Sequence, residues 1–296
     1  LNLTGTGIKT QTIDASVNDK IVIKDGIENI LSDINSKFST YDNDSELTRI
    51  NHSKLKQITV SDEVSYLINK ALYYCEISDG HYDITVAPLV KIWNFESLVK
   101  STIPSYKTIT KVLQDVGYNK ISIDHNILNK KNNTTIDLNS IAKGYAVDKI
   151  YLYLKDLGFE RFLIEVGGEL RSNGDLWIAG IQHPELDGIV SKINLSNMSM
   201  ATSGTYNNNF THNNLTYAHI INPKTGYPYK YSHISATVIA KECSDADAFA
   251  TMALTMNSDE IISIVNKMDD VECYIVKIIE NEKIEFESEN FNKFIV

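Results

Sequence analysis

The chain has 296 residues, 38 acidic against 28 basic, for a formal charge of −10. That surplus argues against nucleic acid as a partner, since phosphate-backbone binding needs a positive surface, and no apolar run is long enough to span a bilayer. An anionic ligand would have to be held locally, by a metal ion, a helix terminus or one or two lysines.

No Pro-rich, Gly/Ser-rich or like-charge linker divides the chain, so a single domain over residues 1–296 is expected. Cys75, Cys243 and Cys273 are widely spaced without metal-ligand pairing, which favours buried free thiols. The chain begins at Leu1 rather than Met, and the expectation is a processed or truncated start, as a removed secretory or lipoprotein signal would leave.

In chain order, Ile8 to Ile13 and Lys20 to Ile23 read as short strands. Asp25 or Gly26 then opens a helix with Ile27, Ile30, Leu31, Ile34 and Phe38 on one stripe. The polar turn Ser39 to Asp44 holds one aromatic, Tyr41, which either packs on the turn or offers a platform to a planar ring. Ser45 caps a short helix over Glu46 to Asn51. Ser61 caps the clearest helix, Asp62 to Ile77, where Val64, Leu67, Ile68, Ala71, Leu72 and Cys75 recur at helical spacing. Directly after it, His81, Tyr82 and Asp83 occupy a tight loop above Trp93 and Phe95. Thr108 to Val116 is a further amphipathic helix, and Lys120 to Ile136 reads as a hairpin around the Asn/Lys-rich turn.

At Ile136 an apolar strand pattern gives way to the helical spacing Ile141, Tyr145, Ile150, Leu154, so the chain turns from strand to helix at Asn139 and Ser140. The first N–H groups of such a helix are unpaired and favour an anion, while Lys143 in the same turn works against the dipole unless a negative group lies beside it. Arg161 to Val166, Leu176 to Ile181, Ile189 to Leu195, Ser199 to Thr202 and Tyr217 to Ile221 follow as strands. The paired Gly167-Gly168 marks a special backbone angle. Asn222 to Gly226 is a turn, and Ser235 to Ala240 is a strand. Ser244 caps a helix on which Asp247 and Thr251, four apart, share one face. Ser258 caps another helix, and Cys273 to Ile279 with Ile284 to Phe286 close the chain as a hairpin.

Asp247 and Thr251 offer a carboxylate and a hydroxyl to one point, hard-oxygen chemistry suited to Mg²⁺ completed by carbonyls, water and a phosphate. The alternative reading is an ordinary acidic first turn with a neutral Thr after it. The seven histidines form no zinc spacing, and neither a P-loop nor G-x-G-x-x-G occurs. His219, at a strand end before the Asn222 turn, is read either as a hydrogen-bonded structural residue or as a catalytic one.

Seven stretches, Ser39 to Asn51, Asp79 to Phe95, D-L-N-S-I-A-K-G-Y-A-V-D ending at Asp148, Val166 to Gly174, Ala201 to Tyr206, His219 to Gly226 and Ser244 to Thr251, together resemble the ApbE family, the FAD:protein FMN transferases. The resemblance implies a single-domain α+β fold, a mixed and antiparallel sheet with packed helices, related to the T-fold. It implies that Tyr41 lies against the flavin and that His81, Tyr82, Asp83, Asp137 and Lys143 contact FAD. Thr4 falls where the family begins its flavin contacts, and Ile221 would touch the nucleotide through its backbone. Mg²⁺ would be held by Asp247, Thr251 and the backbone carbonyl of Ser140. Many relatives have two glycines where this chain has Asn139-Ser140, a departure that bears on the backbone angle there.

The implied reaction is Mg²⁺-dependent transfer of FMN from FAD to a Ser or Thr hydroxyl of an acceptor protein, with AMP leaving and His219 as base toward that hydroxyl. Two alternatives remain at this level. One is an FAD pyrophosphatase giving FMN and AMP, and the other is a flavin-binding lipoprotein without turnover. The family's habit implies an extracytoplasmic, periplasmic or lipid-anchored location at the outer face of the cytoplasmic membrane.

Overall fold

The computed structural model describes residues 8–12, 17–94, 103–131, 133–183, 188–205, 209–212, 215–218, 220–229, 234–279 and 282–296. Its centre is a seven-stranded sheet in the order β1 (Ile8–Thr12), β5 (Phe162–Val166), β6 (Glu169–Asn173), β9 (Ser199–Gly204), β12 (Ile234–Ala240), β13 (Val271–Ile279), β14 (Glu282–Glu287). Every pairing in it is antiparallel, so the α+β expectation holds while no parallel pair occurs among the described residues.

The two faces of this sheet are separated by the period of two along each strand. Ala236, Val238 and Ala240 of β12, with Cys273 and Ile275 of β13, face the main core. That core is built with α1 (Val17–Phe38), α3 (Asp62–Ile77), α6 (Ala142–Asp156) and α7 (Cys243–Thr255). The alternate residues Ile239, Tyr274 and Val276 pack on the other face against Ile181 and Ile193 of the hairpin β7 (Ile178–Gln182) and β8 (Ile189–Asn194), and against Phe291. A third, smaller core of Leu89, Trp93, Ile109, Val116 and Ile221 lies under α4 (Ala87–Trp93) and α5 (Tyr106–Leu113). No described helix is long and apolar enough to cross a membrane.

Several helix boundaries follow the local signals. Ser45 Oγ accepts the Thr48 N–H at 3.0 Å to cap α2 (Glu46–His52), and Ser61 Oγ accepts from Val64 to cap α3. Gly167 and Gly168 form a two-residue hairpin turn between the paired Val166 and Glu169, with φ of 64° and 103°. Cys75, Cys243 and Cys273 are buried free thiols.

Other boundaries differ from the sequence reading. Lys20 to Ile23 is not a strand but part of α1, which runs unbroken through Gly26. A Cβ at Gly26 would stand 2.0 Å from the Tyr153 hydroxyl, so this glycine is a packing notch for α6 rather than a helix start. The hairpin of β3 (Ile121–Asp124) and β4 (Ile127–Lys130) turns at His125, φ 50°, not in the Asn/Lys-rich stretch, and β4 also pairs with β2 (Gln57–Thr59). Ile136 to Leu138 pairs with no strand. The expected strand Tyr217 to Ile221 is instead a hairpin of β10 (Asn209–His212) and β11 (Leu215–Ala218), with Ile221 making a lone bridge to Pro228. Ser244 and Ser258 lie inside α7 and α8 (Ser258–Val265) rather than capping them.

Candidate active site

The turn into α6 is held rigidly by its neighbours. The Asn51 side chain brackets Ile136, donating to its carbonyl and accepting its N–H, both at 2.8 Å. The Asp137 N–H reaches the Ile84 carbonyl at 2.7 Å, and Asp137 Oδ1 accepts the Asn139 N–H at 2.8 Å. Neither Asn139 nor Ser140 has a positive φ, so this turn needs no glycine. Ser140 Oγ lies 2.7 Å from the Tyr82 hydroxyl, which ties the turn to the loop after α3.

One turn on, α6 crosses α7 at Gly144. A Cβ there would stand 2.3 Å from the Cys243 carbonyl oxygen, so only glycine allows the two backbones to meet. In a regular helix the Gly144 N–H would bond the Ser140 carbonyl; here it donates to Asp247 Oδ2 at 3.0 Å. The Ser140 carbonyl receives no other backbone donor among the described residues. The start of α7 is capped from α6 as well: Asp148 accepts the Cys243 and Ser244 N–H groups at 2.8 and 2.9 Å and pairs with Arg171. An acidic side chain from a neighbouring helix therefore does what Ser244 was expected to do.

Asp247 is buried, and burial pushes its carboxyl up despite Lys143 and the Gly144 N–H. Lys143 is ion-paired with Glu169, the first residue of β6. Burial pushes Glu169 up to about 7, Asp247 adds to the rise, and Lys143 opposes it. Lys143 itself is raised, since the two carboxylates outweigh its desolvation. Thus the dipole conflict noted for Lys143 is resolved by acids from two other elements. Thr251, one turn after Asp247, lies 3.5 Å from Ser203 Oγ.

The loop after α3 is braced against the Asn222 turn. Lys224 pairs with Asp79 at 2.7 Å, and Trp93 Nε1–H donates to the Gly226 carbonyl at 2.8 Å. His81 Nδ1 lies 3.1 Å from the Thr255 carbonyl and 3.2 Å from the Tyr229 hydroxyl; only the protonated nitrogen can serve the carbonyl. Asp83 is used by the chain itself, accepting from Thr85 and from the Tyr118 N–H, while burial raises its carboxyl. The Ile221 side chain is buried in the third core, so only its backbone is available to a ligand. Tyr41 is 63% exposed, on a loop fixed by Ser39, whose Oγ accepts the Tyr41 and Asp42 N–H groups. Thr4, Phe95 and His219 lie outside the described residues. A cavity of about 610 Å³ lined by Lys56, Asn119, Lys120, Lys130 and Lys131 shares none of the site residues.

The arrangement thus brings Tyr82, Ser140, Lys143, Asp247 and Glu169 to one place, with an unbonded carbonyl and an excess of buried acid over base. A model of the ApbE family matches residues 4–275. The chain belongs to the ApbE family. It is 30% identical over 289 residues to the FAD:protein FMN transferase of Vibrio cholerae, covering 94% of this chain and 86% of the relative. To that of Haemophilus influenzae it is 32% identical over 286 residues, covering 90% and 82%. Among solved structures, the flavin transferase ApbE of Vibrio cholerae superposes with a TM-score of 0.88 at 27% identity, covering 98% of this chain and 96% of that one. The ApbE protein of Thermotoga maritima gives 0.86 at 29% identity, with the same coverage.

In this ApbE-family chain, no three His, Cys, Asp or Glu side chains cluster as a metal group among the described residues. The donors at hand are a mixed oxygen set instead: the Asp247 carboxylate, the Thr251 hydroxyl and the Ser140 carbonyl. Such a set fits Mg²⁺, which takes one or two carboxylates and leaves positions to water and phosphate. A buried Glu169 Oε2 without a hydrogen-bond partner further marks the place as short of positive or donor groups. Glu169, Asp148 and Gly144 carry no local signal of these roles, because their partners come from other elements.

Proposed function

We propose that this chain is a Mg²⁺-dependent FAD:protein FMN transferase, moving FMN from FAD to a Ser or Thr hydroxyl of an acceptor protein and releasing AMP. The observation that carries the reading is the junction of α6 and α7, where the Gly144 N–H turns to Asp247 and leaves the Ser140 carbonyl open. The names of the relatives support the same activity.

In this reading the acceptor oxygen attacks the phosphorus on the FMN side of the diphosphate. The new O–P bond forms as the bond to the AMP oxygen breaks, and the hydroxyl proton passes to a base, for which His219 is proposed. When bound, Mg²⁺, held by Asp247, Thr251 and the Ser140 carbonyl, supplies charge neutralisation at the diphosphate and at the departing oxygen. The chain's own part is alignment. Lys143 is kept charged by Glu169 and Asp247 and presents its ammonium to the phosphates, and only together with the divalent cation does it offset the buried acids and let an acidic protein take an anion. In this reading Asp137, Tyr82 and His81 contact the FAD, both Asp83 oxygens brace the His81 loop, and Tyr41 offers its exposed ring to the isoalloxazine.

The test is incubation with FAD, Mg²⁺ and a Ser/Thr acceptor peptide, read by peptide mass and released AMP. The expected result is a peptide carrying FMN with one AMP per transfer, both lost in Asp247→Ala while the fold is kept. AMP with free FMN and no modified peptide would instead make the protein a pyrophosphatase, and intact FAD would make it a binding protein.

A further inference from the structure

Glu169 is 2% exposed and follows directly on the Gly167-Gly168 turn, so its backbone is fixed by the β5–β6 hairpin. Its two carboxylate oxygens are unequal. Oε1 is paired with Lys143, whereas Oε2 is buried with no hydrogen-bond partner. A buried acceptor without a donor is costly, and it calls for a partner that a bound water or ion can supply. The same space holds Asp247, so two carboxyls share a single ammonium, and burial raises both because a second negative charge there has no partner of its own. A cation with its water shell meets both needs at once: it neutralises the surplus charge, and a bound water donates to Oε2.

We infer that Glu169 is a positioning residue for the divalent cation, its Oε2 accepting a hydrogen bond from a water on the ion while its Oε1 holds Lys143 against the diphosphate. The inference rests on the cation reading of the proposed function. It extends that reading to a residue 78 positions away from Asp247 in the chain, on a different element. Groups in this outer position orient the ligands of an ion, and their loss typically weakens metal binding by about 10–100-fold.

The experiment is Mn²⁺ titration of the full chain in the presence of ADP, a diphosphate that carries no flavin, with free Mn²⁺ read by electron paramagnetic resonance. Glu169→Gln removes the charge at constant size, and Glu169→Asp keeps the charge but withdraws the oxygen. Both are expected to weaken Mn²⁺ binding by about tenfold or more; if the amide variant does not fold, the Asp variant alone carries the test. Weakening in Glu169→Gln with none in Glu169→Asp would reduce the residue to distant charge and overturn the positioning role. Unchanged binding in both, with binding lost in Asp247→Asn, would overturn this inference and leave the cation reading standing. Unchanged binding in Asp247→Asn as well would overturn both.

Discussion

The crossing of α6 and α7 makes Gly144→Ala the most informative single change. The added methyl would stand 2.3 Å from the Cys243 carbonyl oxygen, 2.6 Å from its carbon and 2.7 Å from Ser244 Cα, against an ordinary contact of 3.4 Å or more. All three atoms are backbone, so no side chain can swing aside and the helices must part by about 1 Å. Overpacking of this kind costs about 1–3 kcal/mol, and the upper end applies to backbone against backbone. Parting the helices also stretches the Gly144 to Asp247 hydrogen bond, worth about 1.5–3 kcal/mol for a charged acceptor. Alanine returns about 1 kcal/mol through its better helix propensity. The net expectation is a loss of about 3 kcal/mol or more, lowering the thermal midpoint by about 5 °C or more in a chain of 296 residues. Circular dichroism melts of the two proteins measure it. A Gly144→Ala midpoint within 1 °C of the parent, or above it, would refute the close crossing. Gly26→Ala is the internal control: its methyl meets only the tip of the Tyr153 side chain, and a drop of no more than about 3 °C is expected.

Asp148→Asn removes the charge that caps α7 and neutralises the largely buried Arg171, and should cost about 3 kcal/mol in chemical denaturation; a variant as stable as the parent would show the cap to be dispensable. Tyr41→Ala should leave the melting midpoint within about 1 °C, since its side chain is exposed. The same variant should lose flavin affinity in fluorescence titration, and unchanged affinity would remove Tyr41 from the site. The Glu63 carboxyl is held at about 2, burial being outweighed by Lys149, Lys37 and the Tyr145 hydroxyl, against an ordinary 4.5. A depressed carboxyl stabilises the fold above its ordinary value and stops doing so as pH falls from 4.5 towards about 2. Its partial exposure limits the effect to about 1 kcal/mol. Glu63→Gln should therefore flatten the acid limb of a stability-against-pH curve, and an unaltered limb would contradict the assignment.

What was legible in the chain is what local chemistry decides. Ser45 and Ser61 cap helices through their own hydroxyls, and the Val64 to Cys75 stripe faces the core at helical spacing. The hairpin glycines at 167 and 168 likewise speak for themselves. Ile21-Val22-Ile23 misled because a β-branched run has strand propensity, yet here it continues a helix whose glycine receives Tyr153 from another helix. Ser244 likewise reads as the cap of α7, whereas the capping carboxylate is that of Asp148, distant in sequence and adjacent only after folding. The candidate site shows the same division. Lys143 in a first helical turn announces that a negative partner is needed, but not that Glu169 supplies it. Asp247 and Thr251 are visible as a pair by their spacing, whereas the open Ser140 carbonyl depends on a hydrogen bond between two helices.

The central claim is that the opening turn of α6 and the first turns of α7 hold one divalent ion beside a dinucleotide's diphosphate. Crystals grown with FAD and Mn²⁺, with data collected at the manganese absorption edge, test it most directly. The account predicts an anomalous peak in contact with the Ser140 carbonyl, the Asp247 carboxylate and the FAD diphosphate together. A peak elsewhere, or FAD bound with its diphosphate away from Lys143 and Asp247, would contradict it.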